Sequence, residues 1–270
     1  MNSSSRVGPA ALRRIVSDLS ERDRHILLTL RRYRLLSAGQ LQRLCFGGLG
    51  SSASANRTTG RVLKRLHRVG LVVRLDRRVG GIRAGSTGYI YRLSSVGFRA
   101  LGIKQRRRSS QPSERFVAHT LAIGELASNA TDATTNSTVV ELLGLEPEPY
   151  CWRDYPDGLS TATLKPDLEI RLATSEVEVA WFVEIDRATE PATTIERKCR
   201  WYLEYFHSGA EQQAAEGLFP KVLWVVPDER RRSQLDRLFQ ELPDRQLGLF
   251  DVVETEQALK RLMDIGKPDT

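Results

Sequence analysis

Residues 56–69, NRTTGRVLKRLHRV, decide the architecture of the N-terminal part of the chain. On an α-helix, with about 100° per residue, four basic side chains of this stretch fall within an arc of roughly 60°, and apolar side chains lie opposite. The four are Arg57, Arg61, Lys64 and Arg68. Like charges on one face destabilise a helix unless an anion meets them, and the DNA major groove accepts a helix. The stretch therefore predicts a DNA-recognition helix; the alternative is an Arg-rich surface helix.

Charge is distributed very unevenly over the 270 residues. Residues 1–110 contain 24 Lys and Arg against 4 Asp and Glu, a balance of +20, whereas residues 111–270 contain 17 against 29, a balance of −12. This asymmetry indicates which part of the chain contacts phosphate. Double-stranded DNA is therefore the expected partner of the N-terminal part.

Composition places the chain among folded, non-membrane proteins. The hydrophobic fraction of 40% is sufficient for a packed core, and no run of about 18 apolar residues is present to span a membrane. Cys45, Cys151 and Cys199 are far apart and odd in number, so we expect three reduced thiols in a cytoplasmic protein.

Residues 15–103 are predicted to form a winged helix-turn-helix domain. Ser20 with Asp23, and Ser37 with Gln40, resemble capping boxes that open two helices before the basic helix, which Gly70 ends. Strands at 71–75 and 89–93 would form the wing, followed by a short helix at 94–101. The predicted DNA-binding residues are Arg57, Arg61, Lys64, Arg65 and Arg68 on the helix, and Arg74, Arg77, Arg78 and Arg83 on the hairpin. A winged helix used for protein contacts is the alternative.

A basic linker, residues 104–113, is expected to lead into an α/β domain at residues 114–262. One helix is expected to precede three consecutive strands, after which helices and strands alternate, and residues 131–137 are expected to form a polar loop. The helices are expected at 116–129, 191–206, 230–242 and 256–263, and the strands at 139–143, 165–172, 177–185, 222–226 and 249–253.

Three acids of this domain are candidate metal ligands. Asp167 opens one strand, and Glu184 and Asp186 lie two positions apart on the next, so their side chains would share one sheet face. If the strands pair antiparallel, the three carboxylates would converge and hold Mg²⁺. The alternative is that Asp167 and Asp186 are turn acids and that Glu184 pairs with an arginine such as Arg187 or Arg197.

Three sequence segments resemble the replication-relaxation family: KPD at 165–167, WFVEIDRATE at 181–190 and ERKCRWYLEYF at 196–206. The resemblance implies a winged helix followed by a domain similar to the PD-(D/E)XK nucleases, with Asp167 and Glu184 as metal ligands. The lysine expected two residues after Glu184 is replaced by Asp186, and Lys198 or Lys165 could take its place. An additional acid on the first helix of this domain would be Glu114 or Glu125.

The resemblance implies a protein of a plasmid or another mobile element that acts in replication, relaxation or mobilisation, beside a relaxase or another replication protein. The chain could act as a homodimer. We expect DNA binding without catalysis and without a required cofactor. One alternative is an Mg²⁺-dependent endonuclease that uses Asp167, Glu184 and Lys198 as catalytic residues. The other is a winged-helix transcriptional regulator whose C-terminal domain only dimerises.

Overall fold

The computed structural model describes residues 7–46, 52–78, 88–104, 111–215 and 217–265. The chain divides into two compact units, Met1–Ser128 and Asn129–Thr270. No helix within the described ranges has the length and apolar character needed to cross a membrane. All three cysteines are free thiols, as predicted.

The described part of the first unit contains the four helices and the strand pair that the sequence predicts for residues 15–103, with two elements that it does not, α1 and β1. The elements are α1 (Pro9–Ser17), α2 (Glu21–Tyr33), β1 (Leu35–Ser37), α3 (Ala38–Cys45), α4 (Ser52–Arg68), β2 (Val72–Arg78), β3 (Tyr89–Leu93), α5 (Ser95–Ala100) and the first part of α6 (Glu114–Thr135). The strands form an antiparallel sheet of order β1-β3-β2.

Local capping determines where these helices begin and end. Ser20 and Asp23 form a capping box at the start of α2, and Ser37 and Gln40 form another at the start of α3. Gly70 adopts a φ of 77° just after α4, in the left-handed region that glycine accepts without strain. Both capping boxes and the glycine stop are thus confirmed.

The division between the units falls within α6 rather than in the predicted linker, residues 104–113. Val117 and Leu121 of α6 pack with Leu35, Leu75 and Ile90 in a buried cluster of the first unit. The side-chain amide of Gln40, besides capping α3, donates to the carbonyl of Leu121 at 2.8 Å. The first part of α6 is therefore built into the first unit.

Helix α6 is also longer than predicted, because residues 131–135 are helical rather than part of a polar loop. Their hydroxyl groups find acceptors inside the helix: Thr134 Oγ1 donates to the carbonyl of Ala130 at 2.9 Å, and Thr135 Oγ1 donates to that of Thr131 at 2.7 Å. A polar sequence thus satisfies its hydrogen bonds without leaving the helix.

The second unit follows α6 with a mixed α/β arrangement. Its elements are β4 (Glu141–Pro147), β5 (Arg153–Asp157), β6 (Ser160–Leu164), β7 (Leu168–Ala173), β8 (Glu178–Ile185), α7 (Ala192–Ser208), α8 (Ala210–Ala214), β9 (Lys221–Val226), α9 (Glu229–Glu241), β10 (Phe250–Glu254) and α10 (Ala258–Met263). Helix α8 and the hairpin of β5 and β6 were not predicted from the sequence. In that hairpin only Tyr155 and Leu164 are buried, so no apolar alternation marks the strands.

Five strands form the central sheet, in the order β10-β9-β8-β7-β4. Strands β8, β9 and β10 are parallel, whereas β7 is antiparallel to both β8 and β4. Phe182 and Trp224 of the sheet pack with Tyr202 of α7 and Leu235 of α9 in one buried cluster. The α/β class predicted for this part of the chain is confirmed.

Candidate functional site

Helix α4 presents its predicted cationic residues to solvent and its other side to the core. Thr59, Leu63 and Leu66 are buried, whereas Val69, which helical periodicity places on the side opposite the cations, is 36% exposed. The helix contains no acidic residue. Four basic residues are exposed together on its outer face: Arg57, Arg61, Lys64 and Arg68.

Arg65, the fifth basic residue predicted to bind DNA on this helix, has a partner inside the fold. Its guanidinium donates to the carboxylate of Asp23, which is completely buried. Burial alone would raise the pKa of Asp23, but the hydrogen bonds from Arg65 and Ser20 outweigh burial and lower that pKa. A buried acid therefore balances the charge of Arg65, and the main role of this arginine is to stabilise the fold.

The structure describes only part of the predicted wing. Arg74 is exposed on β2, and its guanidinium lies 4.0 Å from the ring centroid of Tyr89 on β3. Arg77 and Arg78 lie on β2, but their side chains, together with residue Arg83, fall outside the described residues. The contribution of these three residues to DNA binding stays a prediction.

In the second unit, antiparallel pairing of β7 with β8 places Asp167 beside Glu184. The amide of Asp167 donates to the carbonyl of Val183 at 3.2 Å, and the carboxylate of Asp167 accepts from the amide of Ile185 at 2.8 Å. The two acids are both more than nine-tenths buried. The structure therefore brings together the first two acids of the predicted cluster.

Glu184 is held by two donors from α7. Lys198 Nζ donates to Oε2 at 3.0 Å, and the hydroxyl of Tyr202 donates to Oε1 at 2.7 Å. Burial raises the pKa of Glu184 to about 7, although the charge of Lys198 pulls that pKa down. Asp167 adds to the rise because a second negative charge disfavours ionisation.

Lys198, one of the two lysines considered for the replaced position, therefore reaches Glu184. Its ammonium group also lies 3.3 Å from Glu190. Burial alone would lower the pKa of Lys198, but Glu184, Asp167 and Glu190 outweigh burial and raise it. The lysine is consequently a fixed cation at this site, and its predicted catalytic role stays a prediction.

Asp186 does not join the other two acids. Strand β8 ends at Ile185, and beyond it Asp186 accepts hydrogen bonds from the guanidinium of Arg231 on α9 and, at 2.9 Å, from the amide of Ala188. The expectation that Asp167, Glu184 and Asp186 share one cation fails on this contact. Strand alternation fixes a shared face only for residues within the strand, and Asp186 lies one residue beyond the end of β8.

These contacts do not fit the magnesium ion that the nuclease resemblance implies. Mg²⁺ needs near-octahedral oxygen ligands at about 2.0–2.1 Å. Both oxygens of Glu184 already accept from Lys198 and Tyr202, and Asp186 is held by Arg231. Within the described part of the chain, no three Asp, Glu, His or Cys side chains are grouped so that they could hold a metal ion.

The predicted alternative partners of Glu184, Arg187 and Arg197, are also incorrect, because Lys198 takes that place. Tyr202 and Arg231 were not predicted as site residues from the sequence. Tyr202 lies one helical turn after Lys198, a spacing that puts both on one side of α7 and could have indicated it. No local signal identifies Arg231, which is 45 residues from Asp186.

The remaining candidates have other neighbours. Glu125, one of two acids considered on the first helix of the second domain, lies in the first unit and pairs with Arg43 at 2.6 Å. Lys165, the alternative lysine, lies over the ring of Trp152 with its ammonium 5.0 Å from the ring centroid. Glu114 opens α6.

Comparison with solved structures gives two matches to the restriction endonuclease FokI, one titled as bound to DNA. Both have 17% sequence identity and a TM-score of 0.27. They cover 90% and 88% of this chain but only 45% and 43% of the FokI chains, so the chain spans less than half their length. At this TM-score, no conclusion about activity follows. No curated protein sequence matches the chain.

A family model described as Replication-relaxation matches residues 27–222. The match includes α4, both strands of the first-unit hairpin, and Asp167, Glu184 and Lys198. It extends over well more than half of the sequence, and the chain therefore belongs to the replication-relaxation family.

Proposed function

We propose that the chain binds double-stranded DNA through its first unit and acts in replication, relaxation or mobilisation of a plasmid or another mobile element, without cleaving DNA itself. In this proposal the first unit is a winged helix, with α4 as the recognition helix and β2 and β3 as the wing. The second unit is a nuclease-like domain that contributes further contacts to DNA or to a relaxase or replication protein.

One observation carries the DNA-binding proposal: four exposed cations occupy one face of α4, a helix without an acidic residue. Leu63 and Leu66 on the buried side of the same helix make the contacts with the core, so the cationic face does not take part in core packing. In water this face is unfavourable, because its charges repel each other. Phosphates of a duplex would remove that cost and release counterions on binding.

The hydrogen bonds of Glu184 are the reason for proposing that the chain does not cleave DNA. Its two carboxylate oxygens are occupied by Lys198 and Tyr202, and the position two residues later carries Asp186, whose partner is Arg231. Loss of a single charge-stabilising group can reduce a reaction rate on the order of 10²–10³. A domain with these contacts is better suited to binding than to hydrolysis.

The second candidate is a metal-dependent endonuclease, and the neighbouring positions of Asp167, Glu184 and Lys198 favour it. For this function Lys198 would have to leave Glu184, because the lysine and Tyr202 occupy both oxygens of that carboxylate. We prefer the binding function because the structure contains this closed arrangement.

DNA binding is tested by fluorescence anisotropy of the full chain with a labelled duplex across a salt series. We expect Arg61→Ala and Lys64→Ala to weaken duplex binding, while Arg200→Ala, which removes an exposed arginine of α7 that pairs with Glu196, leaves it unchanged. Equal effects of all three substitutions would contradict the assignment of α4 to DNA.

Catalysis is tested by incubating the purified protein and its Glu184→Ala and Lys198→Ala variants with supercoiled plasmid and Mg²⁺ or Mn²⁺. We expect no nicking by the wild-type chain. Robust nicking that is lost in both variants would replace the binding function with the endonuclease.

A further inference from the structure

The turn before β5 presents two aromatic side chains to solvent. Tyr150 is 43% exposed and Trp152 is 36% exposed, whereas Cys151 between them is completely buried. Aromatic side chains of this size are usually placed in the core, where their burial contributes most. Tyr150 and Trp152 stand on either side of a buried residue in one turn, and the exposed aromatic area of these two side chains is called the aromatic surface below.

Hydrogen bonds join this turn to the segment that carries Asp167. The amide of Glu148 donates to the carbonyl of Asp167 at 2.9 Å, and the thiol of Cys151 donates to the carbonyl of Pro166 at 3.0 Å. Within the turn, the amides of Tyr150 and Trp152 donate to the carbonyls of Pro147 and Pro149. The aromatic surface is therefore held in place beside the buried acids.

A cation lies on the same surface. Trp152 and Lys165 extend β5 and β6 by one position beyond the Arg153–Leu164 pair. Lys165 is exposed, and its ammonium lies 5.0 Å from the centroid of the Trp152 ring. Aromatic rings next to cations are the surfaces on which proteins stack nucleic-acid bases while they neutralise the backbone.

We propose that Tyr150, Trp152 and Lys165 form a stacking site for unpaired bases of DNA. In a fully paired duplex the faces of the bases are covered by their neighbours, so this site would select distorted, melted or single-stranded DNA. Lys165 would contact the phosphate that follows the stacked base. This site rests on the proposed function, because the first unit would bring the DNA to it. It extends that function by naming the kind of DNA that the second unit would recognise.

The net charge of the second part of the chain limits the DNA affinity expected of the stacking site. Residues 111–270 have a balance of −12, which repels a polyanion, whereas residues 1–110 have +20. The stacking site would therefore add discrimination between unpaired and paired DNA rather than the main part of the affinity. Stacking on one aromatic side chain would change affinity by roughly fivefold to a hundredfold per base.

The chain contains a matched control for Trp152. Trp201 on α7 is 43% exposed, and the guanidinium of Arg197 lies 5.4 Å from its ring centroid. The two tryptophans thus share exposure and a neighbouring cation, but Trp201 is not part of the turn bonded to Asp167. A general effect of losing an exposed tryptophan would appear equally in both.

The test compares binding of the full chain to a labelled duplex and to the same duplex with a short unpaired bubble. We expect the wild-type chain to prefer the bubble, and Trp152→Ala to reduce bubble affinity on the order of tenfold with duplex affinity unchanged. Trp152→Phe should retain the preference, whereas Tyr150→Ala should weaken it. Trp201→Ala should affect neither DNA.

Equal affinity of the wild-type chain for bubble and duplex would overturn the stacking site, as would equal losses in Trp152→Ala and Trp201→Ala. Trp152→Phe guards against misfolding, because it keeps an aromatic ring in the turn. Duplex binding tests the proposed function separately. If the wild-type chain binds no duplex but still binds the bubble through Trp152, the assignment of α4 as the recognition helix is wrong, whereas the stacking site is supported.

Discussion

Lys198 and Glu184 form an ion pair in the second unit, in which Nζ lies 3.0 Å from Oε2. The carboxylate is almost completely buried, whereas about a quarter of the lysine side chain is exposed. The pair therefore has an outer and an inner member. Removal of each member should have different consequences, which makes the pair testable by substitution.

We expect Lys198→Met to lower the free energy of unfolding by about 3 kcal/mol, because it leaves a buried carboxylate without its cation. Glu184→Gln should cost less, about 1 kcal/mol, since an amide can still bond with Tyr202 and Lys198 keeps Glu190 as a partner. Urea denaturation measures both values. A larger loss for Glu184→Gln than for Lys198→Met would contradict this order.

The raised pKa of Glu184 predicts a pH dependence. Its pKa of about 7 in the folded state exceeds the usual value of 4.5, so the folded state binds a proton that the unfolded state releases. The contribution of Glu184 to stability is therefore present below about pH 4.5 and is lost as pH rises toward about pH 7. Between about pH 4.5 and pH 7, the urea midpoint of the wild-type chain should fall relative to that of Glu184→Gln, which has no carboxyl group to titrate at this position. Parallel profiles would show that Glu184 titrates normally.

Arg65 and Arg61 occupy neighbouring turns of α4 but should affect different properties. Arg65→Ala should lower the free energy of unfolding by about 1–3 kcal/mol, because Asp23 would remain buried without its guanidinium partner. Since bonding lowers the pKa of Asp23, its contribution is present above the usual value of 3.8 and is lost as pH falls through the lowered pKa. Arg61→Ala should leave stability unchanged. Urea denaturation at neutral and acidic pH tests both, and equal stability of the two variants would contradict the Arg65–Asp23 pair.

The salt dependence of duplex binding should reflect the exposed cations of the first unit. If about five phosphates are neutralised, log K should fall against log salt with a slope near −4.5, from about −0.9 per phosphate. Arg61→Ala should make the slope shallower by about 0.9, whereas Arg200→Ala should leave it unchanged. Anisotropy titrations at several salt concentrations measure the slope, and a flat wild-type response would remove the electrostatic basis of the proposal.

Gly124 tests the packing of α6 in the first unit, and Gly60 of α4 provides a comparison at an open helical position. A Cβ at Gly124 would meet Leu36 Cδ2 at 2.6 Å and Gln40 Oε1 at 3.2 Å, so Gly124→Ala should cost about 1–3 kcal/mol through overpacking. At Gly60 of α4 a Cβ would meet nothing within 4 Å, and Gly60→Ala should stabilise by about 0.5–1 kcal/mol through helix propensity. Urea denaturation of both variants provides the comparison. An unchanged midpoint for Gly124→Ala would place that part of α6 outside the first unit.

Features that depend on near neighbours in sequence could be predicted before the structure. Ser20 with Asp23 and Ser37 with Gln40 are capping pairs because their groups lie three residues apart. The cationic face of α4 follows from helical periodicity alone. Asp167 and Glu184 could be placed together because consecutive strands commonly pair and one of the acids opens a strand.

Contacts between distant residues were decided only by the tertiary structure. Arg65 bonds with Asp23 across 42 residues, and Asp186 bonds with Arg231 across 45 residues, so neither partner is marked by local spacing. The sequence patterns indicated most of the helices and strands and the charges that they carry, but not α1, β1, α8 or the hairpin of β5 and β6. The packing of those elements decided which charges are used internally and which remain exposed, because a buried acid needs a donor from whichever element lies against it.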